Sequence, residues 1–329
     1  MYFRCRNCGG NVIYSPKRRG MYCPYCESEE SGERAEGQTG ALTVCPNCGG
    51  EVPVEEHTSA TRCPYCDSYL IFNERVEGQY EPQMMIPFQI GKETCKESLR
   101  EKFKRCLFAP VDFLSEARLN SIQGYYVPYW FYDYDTDCRF QGEGTKIRVW
   151  RSGDKEYTET SVYEVNRSMD IHFEKIPADA SEQMPDDVMD LIAPFQYAQM
   201  TAFEPKFMSG FYGEKYNMSA DAAEMRAKAL MQTDAEKLLR ESYAGYHSIK
   251  TVRQDVTVNC RKVAYGLLPV WKYIYHYKEK EYPFYVNGQT GKIVGTAPFS
   301  GRKFMLYTGT LWACLTAGLA LLQILLGFL

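Results

Sequence analysis

The longest apolar run lies at the C-terminal end: from Phe304 to Leu329 no charge interrupts 26 positions, nine of them leucine. As a helix this run extends ~39 Å, enough to cross a ~30 Å hydrocarbon core with tilt. It has no polar face, which argues against an amphipathic core helix. Upstream, two stretches carry apolar residues at helical spacing. "KETCKESLREKFKRCLF" (Lys92–Phe108) places Leu99, Phe103 and Cys106 on one face. A second helix, Ser219 to about Ser242, aligns Ala227, Met231, Ala235 and Leu238, with Ser219 as N-cap and Gly245 as terminator. Period-two patterns predict strands at "GYYVPYWFYDYDTDCRF" (Gly124–Phe140), Lys146–Trp150, Tyr157–Val165 and Met169–Phe173. A later block, "LLPVWKYIYHYKEKEYPFYVNGQTGKIVG" (Leu267–Gly295), echoes the first of these. Pro269-x-Trp271-x-Tyr273-x-Tyr275 repeats Pro128-x-Trp130-x-Tyr132-x-Tyr134. The echo points to two related helix-then-strands halves within an α+β domain spanning 82–299.

Cysteine spacing changes the picture of the N-terminal region. Thirteen cysteines follow a start, "MYFRCRNCGG", that has no apolar signal-peptide core. Cys5 and Cys8 precede Cys23 and Cys26 by a gap of 14 residues; Cys45 and Cys48 precede Cys63 and Cys66 by the same gap. A shift of 40 residues superimposes the two frames, carrying Val12 onto Val52 and Ser28 onto Ser68. A duplicated C-x2-C…C-x2-C frame predicts two zinc ribbons, each with four thiolates closing a tetrahedral structural Zn²⁺ site. The glycines after Cys8 and Cys48 suit knuckle turns that need a positive φ. Read alone, "CPYC" also matches a thiol oxidoreductase dithiol. That reading needs one such motif opening a helix, not two motifs each completing a knuckle pair. Each ribbon is too short to bury a stabilising core, so zinc is expected to drive its folding. The expected layout is ribbon 1 at 1–30, a flexible linker at 31–44, ribbon 2 at 45–76, the α+β domain at 82–299 and a membrane tail anchor at 304–329.

Charge narrows the function further. The net charge of -4 gives no overall basic excess for nucleic acid. Ribbon 1 nevertheless carries Arg4, Arg6, Lys17, Arg18 and Arg19 without an acid in residues 1–26, whereas ribbon 2 is acidic. Those five cations make phosphate or partner contacts an expectation to be tested, with neutralisation of the thiolate charge as the plainer reading. Arg302 and Lys303 flank the apolar run and, by the positive-inside rule, leave the preceding domains in the cytoplasm, where thiols stay reduced. Gly309, Ala313 and Ala317 form a small-residue ridge suited to helix–helix contact in a bilayer. "VNGQTGK" (Val286–Lys292) lacks the glycine and the Ser/Thr of a phosphate loop, and Asn287-Gly288 reads as a hairpin turn. Cys95, Cys106, Cys138, Cys260 and Cys314 show no pair spacing and read as core or membrane thiols. No nucleophile–base constellation stands out, and the chain is read as a non-enzyme.

In order, "CPNCGG…CPYC", "PFQI" (Pro87–Ile90), "KRCLFAP" (Lys104–Pro110), "VPYWFYDY", "FMSGFYGEKY" (Phe207–Tyr216) and the Leu267–Gly295 block resemble bacterial TFIIB-type zinc-ribbon-containing membrane proteins. Members of that family are often labelled as relatives of the primosomal helicase N′, a label carried by the ribbon. The resemblance implies zinc at the eight ribbon cysteines. It also implies a membrane-anchored adaptor beside PspA-type or SPFH scaffolds of envelope-stress systems. The alternative from the residues is a membrane-tethered nucleic-acid regulator acting through the basic first ribbon; a CPYC oxidoreductase ranks below it.

Overall fold

The computed structural model describes residues 1–35 and 44–327. Ribbon 1 contributes β1 (Tyr2–Arg4), β2 (Ile13–Ser15), β3 (Gly20–Tyr22) and β4 (Glu33–Ala35). β2 pairs with β3, and β4 returns to pair with β1. The segment expected as linker therefore opens inside a strand, and its 36–43 portion lies outside the described residues. Ribbon 2 contributes β5 (Thr58–Arg62) and β6 (Tyr69–Ile71).

Among the described residues one sheet of ten strands organises the rest, and it is mixed α+β as expected. β7 (Met84–Met85) leads to α1 (Lys92–Phe103) and the short α2 (Glu116–Leu119). Then come β8 (Gln123–Ser152), β9 (Lys155–Asp179), α3 (Asp186–Ile192), β10 (Thr201–Ala202) and β11 (Tyr212–Glu214). α4 (Ala220–Glu241), β12 (Ser248–Tyr277), β13 (Lys280–Asn287), β14 (Ile293–Val294) and α5 (Gly301–Gly327) complete the chain. β8 pairs antiparallel with β9 along its length and with β12 from Gln123 to Thr145.

The four strands read from the middle of the sequence are two. Gly124–Phe140 and Lys146–Trp150 fuse into β8, and Tyr157–Val165 and Met169–Phe173 fuse into β9. Gly142 and Gly144, which lie between the two expected strands, mark close approaches. A Cβ on Gly142 would stand 2.8 Å from the Lys250 carbonyl, and one on Gly144 2.5 Å from the Tyr246 ring. α1 also stops earlier than expected, at Phe103, because the chain turns through Cys106 N–H to Phe103 C=O and Ala109 N–H to Cys106 C=O. Cys106 is consequently exposed, as is Cys260, while Cys95 and Cys138 are buried. On α4 the buried stripe is Ala223, Ala227, Met231, Ala235 and Leu239; Leu238 is turned out. Ser219 caps α4 by accepting from the Ala222 N–H.

The two aromatic echoes lie side by side. β8 and β12 run antiparallel about the Val127–Leu268 pair, with Pro128 opposite Leu267 and Pro269 opposite Tyr126. From that point the two Trp-x-Tyr-x-Tyr runs leave in opposite directions on one face of the sheet. The Trp130 indole donates to the Met218 carbonyl, two residues before α4, at 2.9 Å. The Trp271 indole donates to the Ile90 carbonyl, two residues before α1, at 2.9 Å. Each helix thus covers the tyrosines of the other half. Tyr132 bonds the first residue of α4, Ala220, at 2.5 Å, whereas Tyr273 and Tyr275 bond Phe113 and Asp112 in the turns after α1. The two tryptophans thus reach matching positions before α4 and α1 from neighbouring antiparallel strands.

The ribbons are seated on this body. β5 pairs with β11, which itself runs parallel to β8, so ribbon 2 extends the main sheet. The Met1 amino group donates to Ile71 at 2.5 Å, and Tyr69 N–H donates to the Asn11 side-chain oxygen at 3.0 Å, joining ribbon to ribbon. Ser209 accepts from Tyr14 N–H and donates to the Val12 carbonyl. Phe3, Val12 and Tyr14 share one hydrophobic cluster with Phe88, Tyr126 and Trp271. The ribbons' missing apolar core is supplied by the body.

Beyond α4 the sheet projects as an arm. β12 ends opposite Thr145, so β8 and β9 continue alone as a two-stranded hairpin to the turn at Gly153. Ile147, Val149 and Val162 are exposed on it, and Trp150 stacks on Tyr157.

Candidate metal centres

The eight cysteines converge into the two expected groups. In each, all four sulfurs lie within 4.8 Å of one another. Cys5–Cys26 and Cys8–Cys23 are 3.6 and 3.4 Å apart, and Cys45–Cys66 and Cys48–Cys63 are both 3.7 Å apart. Zn–S bonds of about 2.3 Å at tetrahedral angles give sulfur separations of about 3.8 Å, so both cages fit a zinc ion.

Four matching turns aim these sulfurs. Cys5 N–H donates to Gly10 C=O and Gly9 N–H to Cys5 C=O; Cys45, Gly49 and Gly50 repeat this pattern, and so do the Cys23 and Cys63 turns. The closing residue is left-handed each time, with φ of 76° at Gly9, 74° at Gly49, 59° at Glu27 and 62° at Asp67. Gly49→Val puts a β-branched residue at that φ, a strain of about 1–2 kcal/mol. It is expected to weaken zinc retention at site 2 roughly tenfold in a chelator competition, whereas Gly49→Asn, which tolerates this backbone, loses far less.

Several supporting residues lay outside the cysteine arithmetic. The ring of Tyr25 lies against Gly10, and that of Tyr65 against Gly50; a Cβ on either glycine would stand 2.5 Å from the ring. This explains both the second glycine of each "CGG" and the tyrosine of each "CPYC". The Ser28 hydroxyl lies 3.3 Å from Cys5 and 3.2 Å from Cys26, and Ser68 lies 3.4 Å from Cys66. The 40-residue shift had already superimposed the two serines. Glu30 accepts from Arg6 N–H at 2.7 Å, which holds its carboxyl below the usual range.

Without metal the thiols titrate far apart. The Ser28 hydroxyl and amide hold Cys26 down at about 6, while burial pushes Cys45 up to about 12. Zinc binding must therefore expel protons, and affinity falls with acidification. A disulfide-exchange role asks for an accessible attacking thiol at a helix start. Cys23 and Cys63, the first cysteines of the two CPYC motifs, are fully buried in turns. The geometry fits two structural zinc ions.

The chain is 34% identical over 310 residues to YdjG, an uncharacterized protein of Bacillus subtilis (strain 168), a match spanning 92% of this chain and 91% of the relative. It belongs to the YdjG family. No family model matches the sequence. No solved structure matches it either.

The five ribbon 1 cations do not form one patch. Arg6 pairs with Glu33 at 3.1 Å, and Arg18 with Glu29 while stacking over Tyr22. Acids beyond Cys26 thus pair with two of the five. The Arg4 guanidinium sits beside Gly9, and Arg19 takes a left-handed turn position. Lys17 lines a cavity of about 630 Å³ where both ribbons meet the body, with Tyr22, Arg62, Tyr69, Lys92 and Trp271.

At the other end, Gly301–Ile324 is one exposed helix with a mean hydropathy of 1.5, long and apolar enough to cross a membrane. α5 begins three residues before the expected segment and takes in Arg302 and Lys303; Phe328 and Leu329 lie outside the described residues. Gly309, Ala313 and Ala317 are exposed on it.

Proposed function

We propose that the protein is a non-enzymatic, membrane-anchored zinc-binding adaptor for cytoplasmic protein partners. The observation that carries this reading is the arm. A two-stranded hairpin with solvent on both faces is marginal in water by itself, and exposed Ile147, Val149 and Val162 give a partner apolar surface to cover. The seating of the ribbons moves the expected contact from freely tethered zinc modules to this arm, with zinc holding the base of the sheet in shape. Neutralisation of Arg6 and Arg18 weighs against a nucleic-acid regulator. α5, the one helix among the described residues long and apolar enough to cross a membrane, is the anchor in this reading, and Arg302 and Lys303 favour a cytoplasmic body. The resemblance to TFIIB-type zinc-ribbon membrane proteins makes PspA-type or SPFH scaffolds of envelope stress the partners to examine first.

The test is recovery from gently solubilised native membranes using intact protein, a Val149→Asp/Val162→Asp form and a Cys5→Ser/Cys8→Ser form. A scaffold recovered with intact protein and lost with the arm variant supports the adaptor reading. Nucleic acid in its place, or no partner that depends on the arm, overturns it.

A further inference from the structure

We infer that the loop after α1, together with the segment before α5, forms a second membrane contact that seats the body on anionic lipid. This inference rests on α5 being a membrane span. The chain before α5 is clamped to the loop. Ser300 N–H donates to the Phe108 carbonyl at 2.7 Å, and the Ser300 hydroxyl accepts from Lys303 N–H. The Phe108 ring meets Phe299, Phe304 and Tyr307 at 6.0, 5.3 and 5.8 Å. Tyr307 lies about 9 Å along the helix from Gly301. A ring touching it sits no higher than the headgroup layer once the apolar run from Phe304 is in hydrocarbon.

The surface at that depth has the chemistry of a bilayer interface. Val111 is 86% exposed, Leu107 62% and Phe299 58%, although the body buries most of its large apolar side chains. Leu107 and Phe299 line one surface cleft with Arg105, and Arg302 and Lys303 follow Phe299 in the first turn of α5, in the pattern of apolar side chains entering the acyl boundary while cations meet phosphates. Continuity with the anchor and this charge select lipid as the occupant rather than a protein. The loop's departure from helical structure after Phe103 is what turns Leu107 and Val111 outward.

The experiment places a benzophenone amino acid at single positions of the full chain, reconstituted in vesicles containing phosphatidylglycerol, and reads adducts by mass spectrometry. Leu107 and Val111 test the loop, Leu315 tests the span, and Val252 on the arm serves as the distant control. Lipid adducts at 107 and 111, but not at 252, are expected, with the yield falling about fivefold for each cation left without an anionic partner in neutral phosphatidylcholine. Lipid adducts at 315 without any at 107 or 111 overturn the inference and leave the span intact. Adducts at neither the loop nor 315 overturn both. Cross-links from 107 to protein instead of lipid overturn the lipid assignment, and equal yields in neutral vesicles overturn its anionic part.

Discussion

Cys63→Ser is expected to reduce bound zinc from two ions to one and to unfold ribbon 2. Cys63 is fully buried, and it directly follows β5, the strand that joins the ribbon to the main sheet through β11. A structural zinc site of this kind contributes an apparent ~10–16 kcal/mol to a small domain. Val52 and Leu70 are the aliphatics that cluster with Cys45 and Cys63, whereas Ala60 and Ile71 pack into the body's core, so the loss is expected to centre on the two knuckles. Metal analysis together with limited proteolysis checks both parts, with new cleavage expected between Val44 and Phe72. Cys260→Ser, at an exposed position away from both cages, is the control expected to keep both ions. Two zinc ions per chain in Cys63→Ser would sink the assignment.

Arg226→Met should destabilise the body by about 3–5 kcal/mol, the usual cost of stripping the partner from a buried charge. The Asp179 side chain is 1% exposed and pairs with Arg226, which also reaches Asp190 at 2.8 Å. The guanidinium therefore ties the end of β9, α3 and α4 to one point. Methionine keeps much of the volume and none of the charge, so the buried Asp179 loses its guanidinium partner. A lower thermal midpoint with zinc content unchanged is expected. Asp179→Asn combined with Arg226→Met should recover part of the loss, because the buried charge goes with its partner. A melting curve matching the parent protein would show that Asp179 is held by other contacts.

The parts legible in the sequence were those whose physics is local. Metal-ligand spacing reports a turn and a tetrahedron, and the 40-residue repeat placed all eight cysteines and paired Ser28 with Ser68. The apolar run from Phe304 was legible because length and composition alone mark a helix able to cross a bilayer. The echo of Trp130 and Trp271 was visible as a pattern, yet its meaning lay in carbonyls at Met218 and Ile90, far off in the chain. Gly142 and Gly144, where β8 runs on between two expected strands, admit the Lys250 carbonyl and the Tyr246 ring, partners distant in sequence. Phe108 closes the stretch expected as a helix over Lys92–Phe108, whereas its ring contacts are with α5. Seating of the ribbons depends on Ser209 and β11, which no local pattern near the cysteines foretells.

β12 runs for 30 residues, with register shifts near Val252 and Arg261, from Ser248, where the arm begins to thin, to Tyr277, beside the turn that carries Phe113. At about 3.3 Å per residue that is a strut of up to about 100 Å, with one end at the foot of the anchor. Rotation there is magnified along its length: a tilt of about 5° moves the far end by up to about 9 Å. If α5 spans a bilayer as proposed, its inclination would reach the far end of this strut as a displacement several times larger than any change at the helix itself.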